Sequence, residues 1–203
     1  MNIVCLDFEG VLVPDIWPHV AQRSGVDDLK LTTRDVKDYT ALMNRRVEIC
    51  HTNGITLKQI QTWIAELNAL DGALEFVSWI QERYQLILLS DTFYEFVPHF
   101  MAYFNYPALF CHSISYNEST GYIEFHLRQD NQKAQAVKAL KALNFNIFAS
   151  GDSYNDITML QEANSACFFG APDTVLTDFP EYDNLKTYDE LRQKIELFFN
   201  GKE

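Results

Sequence analysis

The chain has 203 residues, 47% of them hydrophobic and 22% charged, with a formal net charge of −12. This length and composition suit one small α/β core with room for an inserted unit. The negative balance argues against a nucleic-acid backbone or an anionic membrane as partner, because both select basic surfaces. No apolar stretch approaches the roughly 20 residues needed to span a bilayer. Asp7 and Glu9 interrupt the apolar start, and no basic leader or small-residue cleavage pattern surrounds them. Cys5, Cys50, Cys111 and Cys167 show no Cys-x-x-Cys pairing, so reduced, buried thiols in a cytoplasmic protein are expected.

In chain order, residues 2–7 read as a buried strand of a parallel sheet, a continuous apolar run closed by a turn. Residues from about 15 to 70 read as helical throughout, on the spacing of Leu42, Met43, Arg46, Val47 and Cys50 and of Leu57, Ile60, Ile64 and Leu67. Thr56 is placed as a cap. This block interrupts an alternating pattern and is expected as a cap, 15–70, over a core of 1–14 and 71–203. Alternation resumes with a helix near 72–83, a strand at 86–89 and a helix near 93–105. Two strands then flank Asn117-Glu118-Ser119-Thr120-Gly121 as a hairpin. A helix near 132–143, a strand at 145–149, a helix near 155–163, a strand at 166–169, a helix after Pro172 and a last helix near 189–199 complete the pattern.

Two of these strands end in carboxylates, one at Asp7-Phe8-Glu9 and one at Gly151-Asp152-Ser153-Tyr154-Asn155-Asp156. In an open parallel sheet the carboxyl ends of neighbouring strands open into one crevice. Acids converging there need a cation between them, and oxygen ligands alone favour Mg²⁺. A third strand ends at Ser90-Asp91-Thr92, and Lys133 begins a helix. Each feature alone has a plain reading: solvated acids, a helix N-cap, a surface lysine, a turn. Together and in this order they point to Mg²⁺-dependent phosphoryl transfer.

The set resembles the haloacid dehalogenase superfamily of phosphatases, whose four motifs fall at Asp7-Phe8-Glu9, Ser90, Lys133 and Gly151 to Asp156. Within it the chain is similar to the phosphoserine phosphatases, and most to their phosphoserine–homoserine phosphotransferase branch. The segments that carry this are Asp7-Phe8-Glu9-Gly10-Val11-Leu12-Val13-Pro14, Leu89-Ser90-Asp91-Thr92-Phe93-Tyr94-Glu95-Phe96 and Gly151 to Asp156. The resemblance implies a Rossmann-like parallel sheet core with an inserted helical cap. It implies Asp7 as nucleophile through an aspartyl-phosphate and Glu9, where Asp is usual, as proton carrier. Mg²⁺ would be held by Asp7, the main-chain carbonyl of Glu9, and Asp152, with Asp156 orienting that shell. Ser90 and the main chain at Asp91 would hold phosphate oxygens, and Lys133 would supply fixed positive charge.

For the substrate, O-phospho-L-serine, the resemblance assigns the ammonium to Asp15, where Glu is usual, and the carboxylate to Arg46, because Arg forks onto carboxylates. Arg45 points about 100° away on the same helix. Asn155 either touches substrate or caps the next helix. Asp91 stands where glycine is usual, and either meets an acceptor alcohol, displaces a water or caps a helix with Thr92. Water and homoserine both remain open as acceptor. Two other readings stay beside this one: a phosphatase for another small phosphomonoester, and a non-enzymatic phospho-acceptor module, which the helical insertion and Glu9 disfavour. The apolar Leu197-Phe198-Phe199 segment offers a patch for a homodimer.

Overall fold

Side chains alternate across a strand, so a strand buried on both faces must be apolar throughout. The first strand meets that condition in the computed structural model, which describes residues 1–32, 35, 36 and 38–201. In β1 (Asn2–Leu6), Ile3 and Cys5 face one hydrophobic layer, and Val4 and Leu6 face the other. The same alternation holds in β2 (Gln85–Phe93), with Leu86 and Leu88 on one side and Ile87 and Leu89 on the other. β3 (Ala108–Asn117), β4 (Tyr122–His126), β5 (Asn146–Gly151), β6 (Ser165–Phe169) and β7 (Asn184–Leu185) complete the sheet. The order is β4-β3-β2-β1-β5-β6-β7. Among the described residues only the β3–β4 pairing is antiparallel; it is the hairpin expected around Gly121.

β1 is central, flanked by β2 on one side and β5 on the other. The chain builds outward through β2, β3 and β4, then returns to add β5. The reversal of strand order beside β1 opens a crevice at the carboxyl ends, the usual place for a ligand in such sheets. Asp7 leaves β1 at that edge, and its N–H donates to Ser150 O of β5 at 2.9 Å.

Among the described residues, four α-helices and one 3-10 turn lie between β1 and β2. α1 (Ile16–Ser24) ends at Gly25, whose φ of +73° suits a residue without a Cβ. A short 3-10 turn, Asp27–Lys30, follows. α2 (Tyr39–Thr52) is capped by Asp38, and α3 (Leu57–Ile64) starts in a capping box of Thr56 and Gln59. α4 (Ala73–Gln81) then leads into β2. The block is therefore not helical throughout, as the spacing suggested. Thr32 turns the chain by donating to Asp35 Oδ2 at 2.9 Å, and residues 65–70 form no helix. Thr33, Arg34 and Lys37, which that expectation covers, lie outside the described residues, as do Lys202 and Glu203 of the expected core.

The other departure is at β2. The strand runs on to Phe93, opposite His112 of β3, and Tyr94 N–H donates to His112 O at 3.0 Å. α5 (Pro98–Tyr103) therefore starts late, with Pro at its first position, where its missing N–H is not needed. Asp91 and Thr92 are strand residues and cap no helix. The remaining helices, α6 (Gln132–Ala142), α7 (Ile157–Glu162), α8 (Asp173–Asp178) and α9 (Tyr188–Phe199), match the predicted pattern closely; β7 was not foreseen.

All four cysteines are buried and free, and burial pushes the Cys50 thiol up to about 11. No helix among the described residues is long and apolar enough to cross a membrane. Phe198 and Phe199 pack on Phe148 and Tyr84, so Leu197 is the exposed remnant of the expected apolar patch.

α9 closes the fold onto the loop after β1. The Tyr188 ring stacks between Phe76 and Phe169 at 4.8 Å from each, and its hydroxyl donates to Val11 O at 2.7 Å. Tyr188→Phe should lose about 1 kcal/mol, the usual worth of one such bond. Tyr188→Ala should lose about 3 kcal/mol through the cavity it leaves. Urea denaturation of both variants measures the two losses.

Candidate active site

The loop after β1 is a tight knot. Leu12 N–H donates to Phe8 O at 2.9 Å, Gly10 N–H to Val13 O at 2.8 Å, and Leu70 N–H to Leu12 O at 2.9 Å. Gly10 holds φ at +79°, and a Cβ there would come 2.5 Å from Asp152 Oδ2. Only glycine lets the loop pass so close to that carboxylate. Asp7 Oδ1 accepts from Phe8 N–H at 2.7 Å and from Lys133 Nζ at 2.9 Å.

At the end of β5 the chain turns under Asp156, which is fully buried. Its Oδ2 accepts from the N–H groups of Asp152 (3.0 Å) and Ser153 (3.1 Å), and its Oδ1 from Lys133 Nζ (2.8 Å). Both oxygens are occupied by protein donors, so the residue is built to orient its neighbours. A Cβ on Gly151 would collide with the Asp156 carboxyl group.

Asp7, Asp152 and Asp156 each bring a carboxylate oxygen within 4.8 Å of the others. This all-oxygen set, in a cradle kept open by Gly10, fits a hard divalent cation. Burial and the nearby Asp156 charge push Asp7 well above the usual carboxylate range, against the pull of Lys133. Burial opposes the Lys133 charge, but Asp156, Asp7 and Asp91 outweigh it and raise its pKa well above the usual lysine value.

Above this floor lies a cavity, open to solvent on one side, whose wall includes Glu9, Asp15, Arg46, Ser90, Asp91 and Asn155. Glu9 Oε2 accepts from Ile16 N–H at 2.9 Å. Burial raises its pKa, an environment suited to holding and releasing a proton. Arg46 is 6% exposed and no surface residue. Its guanidinium lies 4.5 Å from the Trp17 ring centre, and Nη2 donates to Leu31 O at 2.6 Å. Its buried Nε has no acceptor among the described residues. Burial lowers its pKa to about 10, which leaves it charged at neutral pH. Arg45 points away, 3.5 Å from Asp28.

Asp91 Oδ2 accepts from Asn155 Nδ2 at 2.8 Å and Oδ1 from Gln132 Nε2 at 3.1 Å, with Lys133 Nζ 3.7 Å away. Burial alone would raise its pKa; Lys133 and the donors from His112, Asn155 and Gln132 reverse that and hold the carboxyl well below its usual range. Asn155 sits in a 3-10 turn, Tyr154–Asp156, that is capped by Ser153, so its amide is not a helix cap. The structure thus gathers all the residues singled out from the sequence: Asp7, Glu9, Asp15, Arg46, Ser90, Asp91, Asp152 and Asn155 line the cavity, and Lys133 and Asp156 lie beneath it.

Three neighbours escaped sequence reading. Tyr39, at the start of α2, donates its hydroxyl to Asp91 O, and burial, then Asp91, raises its pKa well above the usual tyrosine value. Gln132 and His112 are 2% and 3% exposed beside Asp91. Gln132 adjoins Lys133 in sequence, a signal that could have found it; nothing local marks His112 or Tyr39.

Residues 15–161 match the family model of haloacid dehalogenase-like hydrolases. A phosphoserine phosphatase, ThrH, of Pseudomonas aeruginosa is 46% identical over 96% of this chain and 95% of its own length. The chain belongs to the haloacid dehalogenase-like hydrolases. A second relative of this hydrolase, a phosphoserine phosphatase of Pseudomonas syringae, is 45% identical over 96% of this chain and 82% of its own. The fold recurs in a crystal structure of phosphoserine phosphatase in apo form, with a TM-score of 0.75 at 19% identity over 96% of this chain and 98% of that one. It recurs too in a phospho-aspartyl intermediate analogue of phosphoserine phosphatase, with a TM-score of 0.70 at 18% identity over 95% of this chain and 98% of that one.

Lys133→Met leaves Asp7 and Asp156 buried without their counter-charge. The hydrolase should then lose about 3–5 kcal/mol of stability in chelator, the usual penalty for breaking a buried pair. Excess divalent cation should return part of it, since a ligand bound only by the folded state stabilises that state. Thermal melts with and without the cation check both statements.

Proposed function

We propose that this hydrolase is an Mg²⁺-dependent phosphoserine phosphatase, with residues 15–70 as a cap over a core of 1–14 and 71–203. The observation that carries the reading is one cavity with two chemically distinct ends. At its floor are Asp7, Asp152, Ser90 and, beneath them, Lys133; on its wall is Arg46 with a buried donor that has no acceptor among the described residues. A phosphate ester that also bears a carboxylate and an ammonium suits both ends, with Arg46 and Asp15 as the clamp. The names of the two Pseudomonas relatives support the same choice.

Asp7 attacks phosphorus while the bond to the serine oxygen breaks, and Glu9 delivers its proton to that oxygen. Glu9 then takes a proton from the incoming hydroxyl, which attacks phosphorus and frees the Asp7 carboxylate. Ser90 and the main chain at Asp91 hold phosphate oxygens, with Lys133 holding fixed charge beneath and Asn155 beside them. The Asp7 carboxylate, the Glu9 carbonyl and Asp152 would hold Mg²⁺, oriented by Asp156; bound there, it supplies charge that screens Asp7 from the phosphate. Water is the acceptor in this reading. Homoserine is the alternative favoured by the Asp7–Pro14, Leu89–Phe96 and Gly151–Asp156 segments, and phosphate release measured with and without homoserine separates the two. Four buried free thiols fit a cytoplasmic setting.

Chelator should abolish phosphate release from phosphoserine, and Mg²⁺ should restore it. Asp7→Asn, nearly isosteric but a poor nucleophile, should abolish turnover with the fold intact by circular dichroism. Full turnover in excess chelator, or by Asp7→Asn, would rule the mechanism out.

Arg46→Ala tests the substrate. A charged hydrogen bond is worth roughly 1.5–3 kcal/mol, so kcat/KM for phosphoserine should fall about tenfold to a hundredfold. An aryl phosphate has no carboxylate to lose and should be turned over at nearly the wild-type rate. Equal losses on both substrates would make Arg46 a support of the cap and remove the clamp from the proposal.

A further inference from the structure

β2 and β3 fall out of register between Leu89 and Phe93, where Ser90, Asp91 and Thr92 pass the cavity. Side chains hold this stretch in place. Gln132 Nε2 donates to Ser90 O at 2.6 Å and to Asp91 Oδ1 at 3.1 Å, using both amide hydrogens. Its Oε1 accepts from Arg128 Nε at 3.1 Å, which fixes the amide's orientation.

His112 is fixed as firmly. Its Nδ1 accepts from Arg128 N–H at 3.1 Å and so carries no proton. The neutral ring must then carry its proton on Nε2. That nitrogen lies 3.3 Å from Gln132 Nε2 and 3.6 Å from Asp91 Oδ1. Two donors cannot bond to each other, so the Nε2–H is directed to the carboxylate. The ring is wedged between Tyr39, at 5.6 Å, and Phe93, at 6.1 Å. Neither Gln132 nor His112 lines the cavity above Asp7. Both line a second cavity on the far side of Asp91.

We propose that Gln132 and His112 are positioning residues for phosphoryl transfer, acting through the Asp91 carboxylate and the Ser90 carbonyl. Asp91 is a bracket in this scheme. One oxygen accepts from Gln132 and faces the His112 Nε2 at 3.6 Å; the other accepts from Asn155 and faces Lys133. The two residues therefore set where the Ser90–Asp91 main chain and the Asn155 amide meet the phosphoryl group. This inference rests on the phosphatase reading of the site, though not on phosphoserine as substrate.

The test is a double-mutant cycle on phosphoserine and on an aryl phosphate. His112→Phe keeps the ring packing and removes the donor; Gln132→Met keeps the length and removes both donations. Each should lower kcat/KM about tenfold or more on both substrates, because the fault lies at the phosphoryl end they share. His112→Gln, which keeps an N–H near the same place, should stay within about threefold of wild type. In an Asp91→Ala background, His112→Phe should cost less than about twofold more, since the group it acts through is gone. Overturning results are an undiminished His112→Phe loss in that background, a His112→Gln loss equal to that of His112→Phe, or no loss in either single variant. Activity on the aryl phosphate with none on phosphoserine would refute the substrate and leave the cycle readable. The cycle is read as well on the affinity of the Mg²⁺-loaded protein for inorganic phosphate, which needs no turnover: both singles should weaken it, and an unchanged affinity overturns the proposal.

Discussion

Lys133 lies 2% exposed, and its two short contacts, 2.9 Å to Asp7 and 2.8 Å to Asp156, reach residues at the ends of two different strands. A third carboxylate, Asp91 from β2, stands 3.7 Å away. A buried charge is tolerated only when paired and hydrogen-bonded. One ammonium therefore draws β1, β2 and β5 to a common point from its place at the start of α6. The surrounding backbone serves this arrangement: Gly10 and Gly151 let the chain pass against Asp152 and Asp156, where a Cβ would collide. One cation among four acids still leaves an excess of negative charge. That excess suits the floor to a further cation, and Arg46 places a positive charge on the wall above it.

The helical segments between β1 and β2 are tied to the core by polar links as well as by packing. Gln61 Nε2 donates to Glu95 O at 2.8 Å, a His99 ring nitrogen meets Leu67 O at 3.1 Å, and Trp17 packs edge-on against Phe96. The Tyr39 hydroxyl on Asp91 O is the link nearest the chemistry. Through it the first turn of α2 touches the strand end proposed to hold phosphate, so the wall carrying Arg46 and the floor carrying Asp7 belong to one connected framework.

Much of the fold was legible because parallel strands buried on both faces must be continuously apolar, and Ile3 to Leu6, Leu86 to Leu89 and Ile147 to Ala149 are. The acids at their ends were legible for the same reason, since charge following such a run has few places to go but a strand end. Legibility failed where tertiary contact overrode local pattern. Phe93 and Tyr94 look like a helix start, but their pairing with His112 keeps the strand going. Arg46 is singled out through the resemblance alone, and its burial against the Trp17 ring and the Leu31 carbonyl is a tertiary fact that its helical spacing does not record. Asp91 next to Thr92 has the composition of a helix cap; its donors come from residues 41 and 64 positions away, a separation no local pattern records.

The Tyr188 clasp spans 177 positions of sequence to reach Val11. β1 is likewise flanked on one side by β5, whose residues are made about 140 positions later. A chain emerging from the ribosome thus exposes its Asp7 loop well before the residues that complete that loop's surroundings are made. Contacts so distant in sequence form late and slowly, because a large loop must close before they reward it. Until β5 is made, the nascent protein carries a strand as apolar as Ile3-Val4-Cys5-Leu6 with only its β2 edge able to pair. Its yield in a cell therefore depends on how well that strand is sheltered until β5 and α9 arrive.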